Sequence, residues 1–150
     1  SIEWIHFGDG QLFNQLKGQA NNLPDNIIVD WRGQVRNEDV LNYYKKNEVS
    51  CFINVSSSEG IPVSIMEAMS FGIPVIGTNV GGVSEIVDED NGYLLSANPR
   101  AQEIVSVIEK FQQLSNEDKE KKRKAAYSTW ENKFNAEKNY TQFVEDILSL

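Results

Sequence analysis

Two carboxylates, Glu59 and Glu67, flank a predicted helix start and could face one ligand together. The segment 56–67 runs Ser-Ser-Ser-Glu-Gly-Ile-Pro-Val-Ser-Ile-Met-Glu, which predicts a small polar loop followed by a helix. Unpaired N–H groups and the helix dipole at such a start favour an anion such as phosphate. Carboxylates accept hydrogen bonds from pairs of sugar hydroxyls. The ligand would therefore meet two carboxylates with backbone amides between them.

The spacing in this helix indicates which side chains turn away from the ligand. Ile65, Ala68, Met69 and Gly72 recur at i, i+3, i+4 and i+7, so we expect this face to pack on a sheet. Glu67 lies off that face. A purely structural interpretation also fits the spacing, with Glu59 as a charge stabilised by the helix dipole and Glu67 as an exposed helix residue.

Apolar runs alternate with helical patterns along the chain, and they must position these carboxylates. Strands are predicted over residues 2–7, 26–31, 49–55, 74–77 and 92–95. Helices are predicted over residues 11–19, 39–47, 62–71, 83–88 and 101–114, and from about residue 116 onward. This alternation predicts an α/β fold with a Rossmann-like, doubly wound parallel sheet. In such sheets ligands bind outside the carboxyl ends of the strands, where the loop 56–60 is expected.

Composition limits the function classes. The 150 residues suit one domain, and the net charge of −8 falls entirely in residues 1–99, which argues against a nucleic-acid partner. The cationic run 119–124 has acidic neighbours, so we expect a solvated helix face. The single cysteine, Cys51, is predicted to be a core residue. The aromatics Tyr127, Trp130, Phe134 and Phe143 are predicted to face the core, with some of them exposed where an N-terminal half is absent. Without a signal-peptide pattern, a cytoplasmic location is expected.

A longer motif surrounds the two carboxylates. Residues 58–87 read Ser-Glu-Gly-Ile-Pro-Val-Ser-Ile-Met-Glu-Ala-Met-Ser-Phe-Gly-Ile-Pro-Val-Ile-Gly-Thr-Asn-Val-Gly-Gly-Val-Ser-Glu-Ile-Val. This run resembles the retaining GT-B glycosyltransferases of family 4, the glycosyl transferases group 1. The turn Gly8-Asp9-Gly10, the run Trp31-Arg32-Gly33-Gln34-Val35 and the strand at 91–95 are similar to that family as well.

The resemblance implies the C-terminal half of a GT-B enzyme, which binds a nucleotide-diphosphate sugar and needs no metal or other cofactor. It implies that Glu59 contacts the sugar hydroxyls near the reacting centre as the catalytic carboxylate, and that Glu67 binds the ribose. The donor's sugar and diphosphate would lie against Gly60, Ile61, Pro62, Val63 and Ser64. The base would lie against the loop that contains Gly33, Val35 and Arg36.

The resemblance also sets expectations for the rest of the enzyme. The family's diphosphate-binding Arg and Lys precede the first strand found here, so we expect a fragment truncated at its N-terminus that is nearly inactive alone. The parent enzyme would transfer the sugar to a glycan or lipid-linked acceptor, in bacterial surface polysaccharide synthesis at the inner face of the membrane. Its acceptor-binding domain would lie outside residues 1–150. The alternatives are a GT-B nucleotide-sugar epimerase, for which the sequence displays no acid/base set, a non-catalytic sugar-nucleotide binding module and a protein-interaction domain. The segment Thr78–Gly82 could be only a turn or could contact the ligand.

Overall fold

In the computed structural model, which describes residues 1–149, parallel strands alternate with helices in two units that divide after Asn47. The first unit contains β1 (Ile2–Phe7), α1 (Phe13–Ala20), β2 (Ile27–Gly33) and α2 (Asn37–Lys46). β1 and β2 pair in parallel, with Ile2 opposite Ile27. The rings of Trp4, His6, Phe13 and Trp31 cluster on these elements, and the centroids of His6 and Trp31 lie 5.0 Å apart.

The second unit holds a parallel three-stranded sheet in the order β3 (Phe52–Asn54), β4 (Val75–Thr78) and β5 (Gly92–Leu95). Its helices are α3 (Val63–Ser70), a 3₁₀ helix (Gly81–Glu85), α4 (Ala101–Gln112), α5 (Asn116–Lys133) and α6 (Ala136–Leu148). Among residues 1–149, no helix has the length and apolar character needed to cross a membrane.

Helices cover both faces of this sheet. Val75 and Ile76 are adjacent in β4, and adjacent strand residues point to opposite faces. Val75 packs with Ile65 and Met69 of α3 and Ala126 of α5. Ile76 packs with Tyr93, Leu95 and Phe111, where Phe111 belongs to α4. This arrangement confirms the predicted Rossmann-like α/β fold with doubly covered parallel strands.

The predicted packing face of α3 is confirmed. Ile65, Ala68 and Met69 are fully buried. The helix ends in a Schellman motif, because the N–H of Gly72 donates to the Met69 carbonyl and the N–H of Ile73 donates to the Ala68 carbonyl. Gly72 has a φ of +64°, a conformation that glycine adopts without strain.

Several predicted boundaries are wrong. β3 spans three residues rather than 49–55, because the Asn54 side chain accepts from the Ser56 N–H and the chain turns there. Pro62 is the N-cap of α3 rather than its first helical residue. The helix predicted at 83–88 is the 3₁₀ helix Gly81–Glu85. The C-terminal helical stretch is divided, because Asn135 caps a new helix by accepting from the Lys138 N–H.

The prediction for the cationic run 119–124 is wrong at Lys122. Lys121 and Lys124 are exposed and pair with Glu117 and Glu120. Lys122 is instead buried, donates to the carbonyls of Glu89 and Gly92, and lies 4.4 Å from the centroid of the Tyr93 ring. Burial lowers the pKa of Lys122.

The aromatic side chains of α5 and α6 divide into two groups. Trp130 and Phe134 pack against the core cluster around Val75, as predicted. Tyr127 and Phe143 are 42% and 62% exposed, so these two do not face the core and are the exposed members of the predicted set. The α6 residues Phe143, Val144 and Ile147 share one exposed apolar face, which the sequence pattern could not distinguish from a buried one.

Candidate functional site

The carboxyl ends of β3, β4 and β5 share one edge of the sheet, and the predicted loop 56–60 lies there. β3 ends at Asn54, β4 at Thr78 and β5 at Leu95. The N–H of Asn79 donates to the Leu95 carbonyl at 2.9 Å, which joins the chain after β4 to the end of β5. The loop between β3 and α3 and the loop after β4 therefore meet at the edge where α/β folds bind ligands.

Glu59 is half-buried in this loop, and Asn54 holds its carboxylate. The Asn54 Nδ2 donates to Glu59 Oε1 at 3.2 Å, and the Asn54 Oδ1 accepts from the Ser56 N–H at 3.0 Å. Because this hydrogen bond occupies only one carboxylate oxygen, Glu59 has acceptor capacity left for hydroxyl donors.

The segment after β4 fixes the backbone of the same loop. The Thr78 hydroxyl donates to the Ser56 carbonyl at 2.6 Å, and Thr78 is fully buried. The N–H of Gly82 donates to the Gly60 carbonyl at 2.9 Å. The segment Thr78–Gly82 thus supports the loop that carries Glu59, and it is not only a turn. Its direct contact with a ligand stays a prediction.

The start of α3 follows this loop directly. Pro62 is buried, and its carbonyl accepts from the amides of Ile65 and Met66. The amides of Val63 and Ser64 begin the helix, where N–H groups have no intrahelical partner, and the first turn holds no acidic side chain. Residues 48–99 contain no Lys or Arg. Within this segment, an anion would therefore be held by backbone amides and the helix dipole.

Glu67 lies on α3, one turn after Val63, and is half-buried. It is off the face formed by Ile65, Ala68 and Met69, as its spacing predicts. Glu59 and Glu67 thus lie on one continuous segment of chain, and the amides of Val63 and Ser64 at the helix start lie between them in sequence. Gly60, Ile61, Val63 and Ser64 are exposed, so a ligand can reach the loop and the helix start.

The predicted base-binding residues Gly33, Val35 and Arg36 belong to the first unit. Gly33 ends β2 with a φ of +61°, and Val35 is half-buried. The exposed guanidinium of Arg36 donates to both carboxylate oxygens of Asp39, at 3.1 and 3.2 Å, which raises the pKa of Arg36 and lowers that of Asp39. Beside them, a shallow depression lined by Gly8, Asp9, Gly10 and Gln34 follows the ends of β1 and β2. A role for these residues in base binding stays a prediction.

The sequence predicted no role for Asn54. It left the segment Thr78–Gly82 open between a turn and a ligand contact, and it did not predict that this segment supports the loop of Glu59. Asn54 was detectable in principle, since it is a polar residue inside the apolar run Phe-Ile-Asn-Val. A polar side chain in a short strand needs a hydrogen-bond partner, and the nearest carboxylate along the chain is that of Glu59.

This chain is similar in sequence and in fold to known proteins. The family model described as "Glycosyl transferases group 1" matches residues 2–129. An Escherichia coli UDP-Gal:alpha-D-GlcNAc-diphosphoundecaprenol alpha-1,3-galactosyltransferase is 35% identical over 100 residues, which are 63% of this chain and 24% of that protein. The lipopolysaccharide 1,6-galactosyltransferase of Escherichia coli K12 is 36% identical over 91 residues, 58% of this chain and 25% of that protein.

The fold comparison covers almost the whole chain. The crystal structure of Anabaena HepE in complex with UDP-glucose matches with a TM-score of 0.74 at 22% identity, over 97% of this chain and 40% of that one. The chain spans about a quarter of the length of the curated relatives described above.

Proposed function

Because this chain belongs to the glycosyl transferases group 1 family, we propose that its second unit binds the sugar and diphosphate of a nucleotide-sugar donor. In the parent enzyme this unit serves the retaining transfer of the sugar to a glycan or lipid-linked acceptor. Glu59 contacts the sugar hydroxyls, the segment from Gly60 to Ser64 contacts the sugar and diphosphate, and Glu67 binds the ribose.

The observation that carries this proposal is the arrangement around the start of α3. A helix start with unpaired amides suits a diphosphate, and the half-buried carboxylates before and after it suit hydroxyl groups. A nucleotide-diphosphate sugar carries both kinds of group in one molecule. During transfer the diphosphate leaves with growing negative charge, and the amides of Val63 and Ser64 would stabilise that charge.

The relatives suggest the donor and the acceptor more closely. One is named for UDP-galactose and for an acceptor linked to diphosphoundecaprenol, and another is a lipopolysaccharide galactosyltransferase. We therefore propose a UDP-hexose donor and a role in bacterial surface polysaccharide synthesis, at the cytoplasmic face of the membrane where a lipid-linked acceptor would be met.

A titration of the chain with UDP, GDP and ADP tests the donor site. We expect UDP to bind most tightly, and Glu67→Ala to weaken it by about tenfold or more, since hydrogen bonds to a charged group contribute about 1.5–3 kcal/mol. Glu109→Ala is the matched control, because Glu109 is an exposed helical glutamate on α4. It should leave the affinity for UDP unchanged.

The outcomes separate the possible functions. Equal, weak binding of all three nucleotides, unaffected by Glu67→Ala, would contradict the donor site. Tight binding of UDP together with no transfer by the full-length parent enzyme would favour a non-catalytic sugar-nucleotide binding module.

A further inference from the structure

We propose that Asn54 is a positioning residue that orients the Glu59 carboxylate for the sugar of the donor. The proposal rests on the function proposed above. It adds a residue from β3, to which the sequence assigned no role in the site.

Asn54 uses both ends of its carboxamide. Its Nδ2 donates to Glu59 Oε1 at 3.2 Å, and its Oδ1 accepts from the Ser56 N–H at 3.0 Å. A reversed amide would place Oδ1 against a carboxylate and Nδ2 against an N–H group, so the pair of partners fixes the amide's orientation. The Glu59 carboxylate is thereby oriented by a side chain from the sheet rather than by the loop alone.

The neighbourhood of Asn54 is rigid. Its strand pairs with β4, where Asn54 lies opposite Gly77. The Ser56 carbonyl is held by the buried Thr78 hydroxyl, and the Gly60 carbonyl by the Gly82 N–H. Both sides of Glu59 are therefore anchored to the chain after β4, and the hydrogen bond from Asn54 restricts the rotation of the carboxylate. Preorganised groups lose less entropy when they bind a ligand.

The chemical type of Asn54 suits this role better than a cation would. A lysine or arginine at this position would neutralise Glu59 and compete with hydroxyl donors for its oxygens. A neutral amide donates one hydrogen bond without forming an ion pair. The second carboxylate oxygen of Glu59 can then still accept from the sugar hydroxyls.

The test measures the affinity of the full chain for UDP-galactose relative to its affinity for UDP. Asn54→Asp keeps the acceptor for the Ser56 N–H, loses the donor to Glu59 and places a second carboxylate beside it. We expect this variant to lower the ratio of the affinity for UDP-galactose to the affinity for UDP by about tenfold. The affinity for UDP itself should change little. Asn132→Asp makes the same change on α5, far along the chain, and should leave the ratio unaltered. Asn54→Ala is a second variant that adds no charge, in case Asn54→Asp folds poorly.

A double-mutant cycle distinguishes orientation of Glu59 from general stabilisation. If Asn54 acts through the carboxylate, Asn54→Ala costs the affinity ratio nothing further once Glu59→Ala is present. Additive losses, or an unchanged ratio in both Asn54 variants, would overturn the role of Asn54 and leave the donor site standing. If the unmodified chain binds neither UDP nor UDP-galactose, the proposed function fails and the role of Asn54 fails with it.

Discussion

The backbone of Gly81 lies against that of Glu59 so closely that a Cβ at Gly81 would be 1.7 Å from the Glu59 carbonyl oxygen. Gly81 also has a φ of +52°, which side chains rarely adopt. The start of the 3₁₀ helix and the loop that carries Glu59 therefore fit together because residue 81 has no side chain. Any change at this glycine must displace the loop.

We expect Gly81→Ala to lower both stability and donor binding. The clash is with backbone, so relief requires movement of the loop, and overpacking together with left-handed backbone strain costs about 1–3 kcal/mol or more. Gly18→Ala is the matched control, because Gly18 is exposed on α1 and a Cβ there would meet nothing within 4 Å. Thermal unfolding and UDP titration of both variants check this expectation. A Gly81→Ala protein as stable as the Gly18→Ala protein would show that the loop can move freely.

Glu59→Gln should separate recognition of the sugar from recognition of the nucleotide. Glutamine keeps an oxygen that can accept from Asn54, so the loop should hold its conformation, but the negative charge is lost. We expect the affinity for UDP-galactose to fall by about tenfold or more, with little change for UDP. Calorimetric titration with both ligands measures the difference. Equal losses for the two ligands would indicate that Glu59 contacts the diphosphate or supports the loop.

The spacing of apolar residues along the chain correctly predicted the buried face and the end of α3. The buried face of α3 follows from the spacing of Ile65, Ala68 and Met69, and its end follows from Gly72. Strand lengths were less predictable, because β3 ends where the Asn54 side chain bonds the backbone rather than where the apolar run ends. The break between α5 and α6 likewise depends on a cap at Asn135 within a continuous helical pattern.

The loop and the helix of the candidate site could be predicted from the sequence. The contacts by which other parts of the chain hold that loop could not. Glu59 and Glu67 are separated by a spacing that the sequence displays directly. The contact of Gly81 with Glu59 joins residues that are distant along the chain, so no local pattern reveals it. Lys122 lies within a run of charges typical of a solvated face, and only the packing of α5 shows that it is buried.

Lys122→Met should destabilise the second unit. The lysine satisfies the carbonyls of Glu89 and Gly92 and lies over the Tyr93 ring, and methionine would fill the space without donating a hydrogen bond. Gly92 is buried, and leaving its carbonyl without this donor costs about 1–3 kcal/mol. Lys124→Met is the control, because Lys124 is exposed and its ion pair with Glu120 should contribute less than about 1 kcal/mol. Urea unfolding of both variants measures the difference, and equal midpoints would show that solvent replaces the lysine at these carbonyls.

The Cys51 thiol should react slowly and with an alkaline pH dependence. Cys51 packs against the cluster of Ile76 and Tyr93, and burial raises the pKa of its thiol from 9.0 to about 11. At about pH 8 the thiolate fraction should be roughly a hundredfold lower in the folded chain than in the unfolded one, because two pKa units separate them. The folded state disfavours the thiolate. The stability that comes from burying Cys51 as a neutral thiol is therefore fully present below pH 9.0 and is lost as the pH rises toward about 11. Alkylation rates in native buffer and in concentrated guanidinium chloride, measured as the pH is raised, test both statements. A native rate that levels off near the pKa of an ordinary cysteine would show that Cys51 is accessible to solvent in its ionised form.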